Sequence, residues 1–386
     1  MRQNVRQWLG VLITAFALGC SDGGSPNTPE NTGDSTTEDG ATSNARTRVY
    51  AVIVSHNEQD VNAKCQPVLN EEARWHENRS LTLAFASAIV ESGGAYDLQT
   101  DFRWLEQMQA WETEAERAET DGDNLLAYLA SAFPGQVVVD AHNHDTSHNY
   151  ADVAYLLRES GVPDTRVVGG HVWYPVESAD WERFRDPLPG IAHDTLWSPA
   201  ILWGGATLQH AGPDSEASGV WRPRSAVDYH EDDPEGTLIV MGNFVDAKFE
   251  IGQGGGIQIL LDELRAGNHP EGVMLTVSVF FDQCGLTEED VAQVVALIEK
   301  HKSDVEAGDL VWATVPDLIA AWETDYGARA YIAHAPTELE GCGDCDPEEV
   351  CCRAPAPCAG TCVPRCQDSA QSCPPGTNCQ ANGHCE

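Results

Sequence analysis

The chain carries very little positive charge. Of its 386 residues, 22 are lysine or arginine and 61 are aspartate or glutamate, and the formal net charge is −39. Its lysines are Lys64, Lys248, Lys300 and Lys302. A surface this acidic repels phosphate backbones and anionic lipid headgroups, which argues against nucleic acid and anionic membranes as partners. Hydrophobic residues make up 42% of the chain, which is enough to bury a sizeable core.

Long apolar runs are also scarce, and the clearest one lies at the N-terminus. Residues 8–18 follow Arg2 and Arg6 and are too few to span a bilayer, which is typical of an export signal. The run ends in Gly19-Cys20 and resembles a bacterial lipobox, with ordinary signal-peptidase cleavage as the alternative. The resemblance implies a lipoprotein signal peptide over residues 1–19. It also implies that lipidated Cys20 anchors the chain to the outer membrane of the cell envelope, facing the periplasm or the cell surface.

Apolar residues are nearly missing from residues 20–47, where Gly, Ser, Thr, Asn, Asp and Glu dominate. Such a segment cannot bury enough surface to offset its ordering entropy, so we predict a disordered linker. Cysteine is scarce in residues 48–335, where it occurs as Cys65 and Cys284. Their even number in an exported chain suggests one disulfide between them.

The remaining cysteines crowd residues 336–386. In an exported chain, an even number of cysteines in a short segment predicts a disulfide-rich module whose cross-links replace a hydrophobic core. The pair Cys342 and Cys345 leaves zinc binding as an alternative, although no regular Cys/His quartet follows it.

Strand and helix signals alternate through residues 48–335, which predicts a parallel α/β core. We expect an incomplete or distorted parallel (β/α) barrel, with a doubly wound open sheet as the alternative. The predicted strands span 49–54, 96–100, 137–140, 238–241, 273–281 and 310–313. The predicted helices span 80–91, 102–118, 124–133, 150–160, 287–301 and 315–326. Residues 171–235 are rich in Trp, Pro and Gly and are predicted to form irregular loops over one end.

Two apolar strands end abruptly in histidines and acids. After one strand come His144 and His148, whose spacing points two imidazoles to one side of a helical turn. After the other come His56 and Glu58, which face the same way if the strand continues. Together they predict a site for zinc or a similar divalent metal. Three ligands and an open position suit hydrolysis, whereas four fixed ligands suit a structural role.

Acidic residues flank the histidine turn. Asp140 and Asp145 are candidate catalytic groups, each of which serves as a base, as a partner of a ligating histidine or as a helix cap. His142 faces the same side as His144 if the strand continues, which suggests a supporting role beside the metal.

Residues 143–148 resemble the histidine motif of the polysaccharide deacetylase family, in which two histidines four apart bind the metal after a core strand. Val220-Trp221-Arg222-Pro223 resembles the Arg-Pro motif of that family, whose arginine orients the catalytic carboxylate. The resemblance implies a deacetylase-like barrel over residues 48–335, with Arg222 in the orienting role. The run 55–58 also resembles the His-x-Asp metal motif of retaining α-mannosidases, which share a related barrel.

Two functions stay open from the sequence. The first is an exported metal-dependent hydrolase that acts on carbohydrate, by acetyl removal or by glycosidic cleavage. The second is a non-catalytic surface lipoprotein on a degenerate deacetylase scaffold, which binds glycan or a protein partner. If Glu58 replaces the metal-binding aspartate of the family, Asn57 stands where the family has its carboxylate base, and an amide cannot take that proton. Asn57 therefore favours the second function, whereas the pair His144 and His148 favours the first.

Overall fold

The computed structural model describes residues 45–57, 72–143, 147–171, 178–204, 217–225, 228–244, 255–282 and 286–334, together with short strands at 349–351 and 362–364. The predictions for the signal peptide and for most of the linker and the cysteine-rich tail therefore lie outside the described residues, as do Cys65 and Cys284. No helix in the described part of the chain is long and apolar enough to cross a bilayer.

The core of the fold is a ten-stranded sheet. Its strands are β1 (Arg48–Asn57), β2 (Tyr96–Thr100), β3 (Val137–His142), β4 (Val167–His171), β7 (Ile201–Gly204), β8 (Ser218–Trp221), β9 (Ile239–Met241), β10 (Met274–Asp282), β11 (Leu310–Trp312) and β12 (Tyr331–Ala333). Two short antiparallel pairs lie apart from it: β5 (Leu188–Pro189) with β6 (Leu196–Trp197), and β13 (Glu349–Cys351) with β14 (Cys362–Pro364).

The sheet closes into a nearly complete barrel. Its strand order is β10-β1-β2-β3-β4-β7-β9-β8-β12, with β11 also paired to β1, and only the pairings of β8 are antiparallel. Thr276 of β10 links the first strand of this order to its far side, because its hydroxyl accepts from the N–H of Gly219 in β8 (2.7 Å) and donates to the carbonyl of Gly242 just after β9 (2.6 Å). The predicted distorted parallel barrel is therefore confirmed, and the open-sheet alternative is wrong.

Helices follow most of the parallel strands. They are α1 (Glu72–Glu91), α2 (Phe102–Trp111), α3 (Glu114–Glu119), α4 (Leu125–Ala132), α5 (Tyr150–Glu159), α6 (Gly255–Ala266), α7 (Glu288–Lys300), α8 (Lys302–Glu306) and α9 (Val315–Thr324), with a 3₁₀ helix at Ser178–Arg185. The single helix predicted over 102–118 is wrong, since the chain breaks after Trp111. Thr113 then caps α3 in a reciprocal arrangement with Glu116, which satisfies the free N–H groups of a new helix.

Alternate residues of β1 face opposite sides of the barrel wall, as a pleated strand requires. The odd-numbered residues from Val49 to Ile53 pack against the helices outside. The even-numbered residues from Tyr50 to Val54 pack inside, in a cluster that includes Trp322 of α9. The interior is thus apolar and is filled at the amino ends of the strands by α9.

The region 171–235 differs from its prediction. Among its described residues are β7 and β8, two strands of the barrel wall, rather than irregular loops alone. These strands are only four residues long, so neither shows a clear alternation of apolar and polar residues.

Candidate functional site

The carboxyl ends of β1 and β3 meet inside the barrel mouth. His56 of β1 and His142 of β3 stack their imidazoles, with ring centroids 3.9 Å apart and ring planes 29° apart. The intervening strand β2 pairs with both, which brings the two strand ends within side-chain reach. Both histidines are fully buried.

Aromatic side chains enclose His56 on its other sides. The ring of Phe280 meets it edge-on with centroids 4.6 Å apart, and the ring of Trp203 does so at 5.4 Å. The indole N–H of Trp203 in turn donates to the hydroxyl of Ser278 (2.9 Å). These contacts leave the imidazole of His56 little freedom to rotate.

A backbone carbonyl fixes the orientation of His142. Its Nδ1 lies 2.8 Å from the carbonyl oxygen of Gly169, and the hydroxyl of Tyr150 donates to the same oxygen (2.9 Å). A carbonyl only accepts, so Nδ1 carries the hydrogen, and Nε2 holds the lone pair of the neutral ring. This is the arrangement by which proteins orient imidazoles for metal or proton chemistry.

Two glycines of β4 provide the space for these side chains. A Cβ on Gly170 would lie 2.6 Å from Cε1 of His142, and this residue has a φ of +72°. A Cβ on Gly169 would lie 2.6 Å from the amide carbon of Gln99. Real Cβ atoms do not approach other heavy atoms so closely, so the site depends on both glycines.

The strand register sets polar residues side by side across four strands. His56 pairs with Asp282 of β10 and with Gln99 of β2, and Gln99 pairs with Asp140 of β3. Gln99 and Asp140 are completely buried. The barrel wall therefore carries a polar row near its mouth, above an apolar interior.

A pair of buried carboxyls lies beside this row. Asp97 of β2 accepts from the N–H of Val315 at the start of α9 (3.2 Å), and Asp140 accepts from the hydroxyl of Thr165. Burial raises the pKa of Asp97 to about 6, against hydrogen bonds that lower it, the largest of them from Asp140. Burial raises the pKa of Asp140 well above its usual range, and the negative charge of Asp97 raises it further. A raised pKa lets a carboxyl keep its proton at a higher pH than an ordinary one, which suits general acid–base chemistry.

The residues predicted to bind metal are only partly described. Glu58, His144 and the candidate base Asp145 lie outside the described residues. His148 stacks on Phe102, with centroids 3.3 Å apart, just after the carboxyl end of β2. It lines a surface cavity of about 510 Å³ together with Arg103, Glu106, Gln107, Ala110, Trp111 and Ser147.

Arg222 lies away from this site. Strand β8 runs antiparallel to β9, so Arg222 leaves it toward the amino ends of the parallel strands. There its guanidinium sits 4.6 Å from the ring centroid of Trp322 in α9. We therefore do not include Arg222 in the candidate site, and its role in orienting a catalytic carboxylate stays a prediction.

Sequence reasoning missed two groups of residues. One is Asp97 with Gln99, which the alternation of polar and apolar residues in the predicted strand 96–100 could have shown. The other is Glu263, His269 and His334, whose ligand atoms lie within 4.8 Å of one another and could hold a metal ion. No spacing rule connects the members of this second group, because His334 is far from the others in sequence.

No family model matches the chain, and no curated protein matches it in sequence. A protein from Parabacteroides distasonis, assigned as a glycoside hydrolase/deacetylase, has a similar fold with a TM-score of 0.43 and 11% identity, over 74% of this chain and 73% of its own. The 4-alpha-glucanotransferase from Thermococcus litoralis has a TM-score of 0.39 and 12% identity over 71% of this chain, which spans 40% of its length. Likenesses this low carry no inference about activity.

Proposed function

We propose that this protein is an exported, metal-dependent hydrolase that acts on carbohydrate in the manner of a polysaccharide deacetylase. The observation that carries the proposal is the contact between His56 and His142. It joins the ends of β1 and β3 just before Glu58 and His144 in the sequence. The contact supports a site in which residues that follow both strands bind one ion.

The donor set fits a divalent metal. Imidazole nitrogens and a carboxylate from His56, Glu58, His144 and His148 are the ligands that zinc accepts in proteins. A zinc ion bound there supplies Lewis acidity toward a carbonyl or a water molecule. The remaining roles belong to the protein: Phe280 and Trp203 hold the His56 ring in place.

Buried carboxyls provide the proton chemistry of the proposal. Burial raises the pKa of both Asp140 and Asp97, which suits carboxyls that exchange a proton during the reaction. Asp145, which lies five residues after Asp140 in the sequence, is the second candidate base. Hydrolysis of an amide or ester needs a group that takes a proton from the attacking water and one that returns it to the leaving group.

The surface cavity beside His148 supports a carbohydrate substrate. Its lining combines the aromatic ring of Trp111 with the polar side chains of Arg103, Glu106 and Gln107. An aromatic face suits the apolar face of a sugar ring, and the polar groups suit its hydroxyls. Export and a lipid anchor at Cys20 complete the proposal, with the outer membrane as the site of action.

Metal analysis of the purified chain tests whether the proposed site at the barrel mouth binds a metal ion. We expect bound zinc in the wild type and its loss from the mouth site in His144→Ala. His76→Ala is the matched control, since His76 pairs with Glu116 at 2.6 Å on the helical side of the fold. Equal metal content in wild type and His144→Ala would remove the proposed centre. Release of acetate from acetylated chito-oligosaccharides or xylan then tests the reaction.

A non-catalytic glycan-binding lipoprotein remains a second candidate because of Asn57. Its side chain is completely buried at the end of β1 and is an amide, which cannot act as a base. Binding of the same oligosaccharides without release of acetate or reducing ends would favour this function over hydrolysis.

A further inference from the structure

A second cluster of ligating side chains lies where α6, the turn after it and the end of β12 meet. Glu263 belongs to α6, His269 to the turn, and His334 follows β12 directly. Nε2 of His269 lies 3.2 Å and Nε2 of His334 lies 2.6 Å from the same carboxylate oxygen of Glu263. We propose that these three residues, the α6 cluster, bind a divalent transition-metal ion of the zinc class.

The two distances to the shared oxygen of Glu263 are close to those around a small tetrahedral ion, and all three ligand atoms lie within 4.8 Å of one another. Zinc bonds to nitrogen and oxygen of about 2.0–2.2 Å place neighbouring ligand atoms roughly 3.3 Å apart. The 3.2 Å separation between His269 and Glu263 already has this value. His334 must withdraw from Glu263 by a fraction of an ångström, and its side chain is 27% exposed, which leaves it room to do so.

Neighbouring groups orient both imidazoles toward the shared oxygen. Nδ1 of His269 lies 2.9 Å from the hydroxyl oxygen of Tyr331, which can accept its N–H and so leave the lone pair on Nε2. The ring of His334 packs against Phe244, with centroids 4.5 Å apart. His334 also has a φ of +55°, a left-handed conformation that is costly for a residue other than glycine and that accumulates at functional sites.

The position of the cluster defines what the ion would do. It would fasten β12, the last strand in the sheet order, to a helix that packs against β1 and β10. Three protein ligands leave a fourth position for water on the exposed side. This centre differs in every ligand from the proposed metal site at the barrel mouth.

The same residues also suit a metal-free triad in which both imidazoles donate Nε2–H to Glu263. The two arrangements differ in metal stoichiometry, which the full-length protein reports directly. After removal of metal with a chelator and titration with Zn²⁺, we expect His334→Ala and Glu263→Gln each to bind one ion fewer than the wild type. Co²⁺ in place of zinc should give the visible absorption of a four-coordinate ion, and both variants should lose that part of the spectrum.

Two controls make the result specific. His76→Ala removes a histidine of similar exposure that also lies 2.6 Å from a glutamate oxygen, and it should keep the wild-type stoichiometry. His144→Ala should lose the ion of the barrel mouth and keep that of the α6 cluster. The two proposed metal sites are thereby tested separately. Glu263→Gln preserves side-chain shape and decides the question if His334→Ala does not fold. Wild-type stoichiometry in Glu263→Gln would overturn the proposal and leave the hydrogen-bonded triad.

Discussion

Replacing Gly170 by alanine tests whether the ends of β1 and β3 are packed as tightly as the candidate site requires. The new methyl group would lie 2.6 Å from Cε1 and 2.7 Å from Nδ1 of His142, and 3.2 Å from Cε1 of His56. It would therefore push the two stacked imidazoles apart and disturb the bond from His142 to the carbonyl of Gly169.

Two costs add up in this variant. A φ of +72° is left-handed, which costs an alanine roughly 1–2 kcal/mol. Overpacking a buried site costs about 1–3 kcal/mol more. Gly93→Ala provides the matched control, because Gly93 has a φ of +85° and an added Cβ there meets nothing within 4 Å. The difference between the two variants isolates the steric contact at His142.

Urea unfolding of both variants measures that difference. We expect Gly170→Ala to lose about 1–3 kcal/mol more unfolding free energy than Gly93→Ala. Zinc content should also fall in Gly170→Ala alone, since the imidazole of His56 is displaced. Equal destabilisation by the two substitutions would refute the close packing of His142 against β4, and with it the geometry on which the proposed function depends.

Further predictions concern buried charges. Arg79→Ala should lower the free energy of unfolding by about 3–5 kcal/mol, because the side chains of Arg79 and Glu112 are completely buried and pair at 3.0 Å. Arg74 is an exposed control, and Arg74→Ala should lower the same quantity by less than about 1 kcal/mol in the same urea assay. Asp97, with a pKa raised from 3.8 to about 6, binds its proton more tightly in the folded state. Its contribution to stability is therefore present below about pH 4 and is lost as the pH rises past 6, and Asp97→Asn should flatten this part of the stability profile. An unchanged profile would contradict a buried titrating pair with Asp140.

Much of the fold follows from local signals in the sequence. The helix predicted over 287–301 matches α7 to within one residue at each end, because Thr287 and Asp290 form a capping box, which is a local interaction. The strand at Tyr96–Thr100 also matches its prediction. The helix α6 was missed because it begins in a glycine-rich run, which is a poor local signal for a helix.

The candidate site was predictable only where chemistry follows directly on a strand. His56 and Asp140 were identified because each ends or closely follows an apolar run. The contact between His56 and His142 could not be predicted, since it depends on the register of three strands that are joined by long connections. The α6 cluster is harder still to predict, because His334 follows β12, which begins 62 residues after His269 in the sequence and is the last strand in the sheet order.

The two ends of the barrel interior are not equivalent, and this decides where chemistry can take place. At the amino ends of the strands, α9 fills the interior with apolar side chains such as Leu318 and Trp322. At the carboxyl ends, the wall carries the polar row that includes His56 and Gln99. Burying a row of polar side chains costs free energy that their hydrogen bonds only partly offset, whereas apolar side chains at this end would not incur that cost. Under the proposed function, a variant in which apolar residues replace Gln99 and Asp140 should lose metal or glycan binding, and metal analysis together with oligosaccharide binding measures this loss.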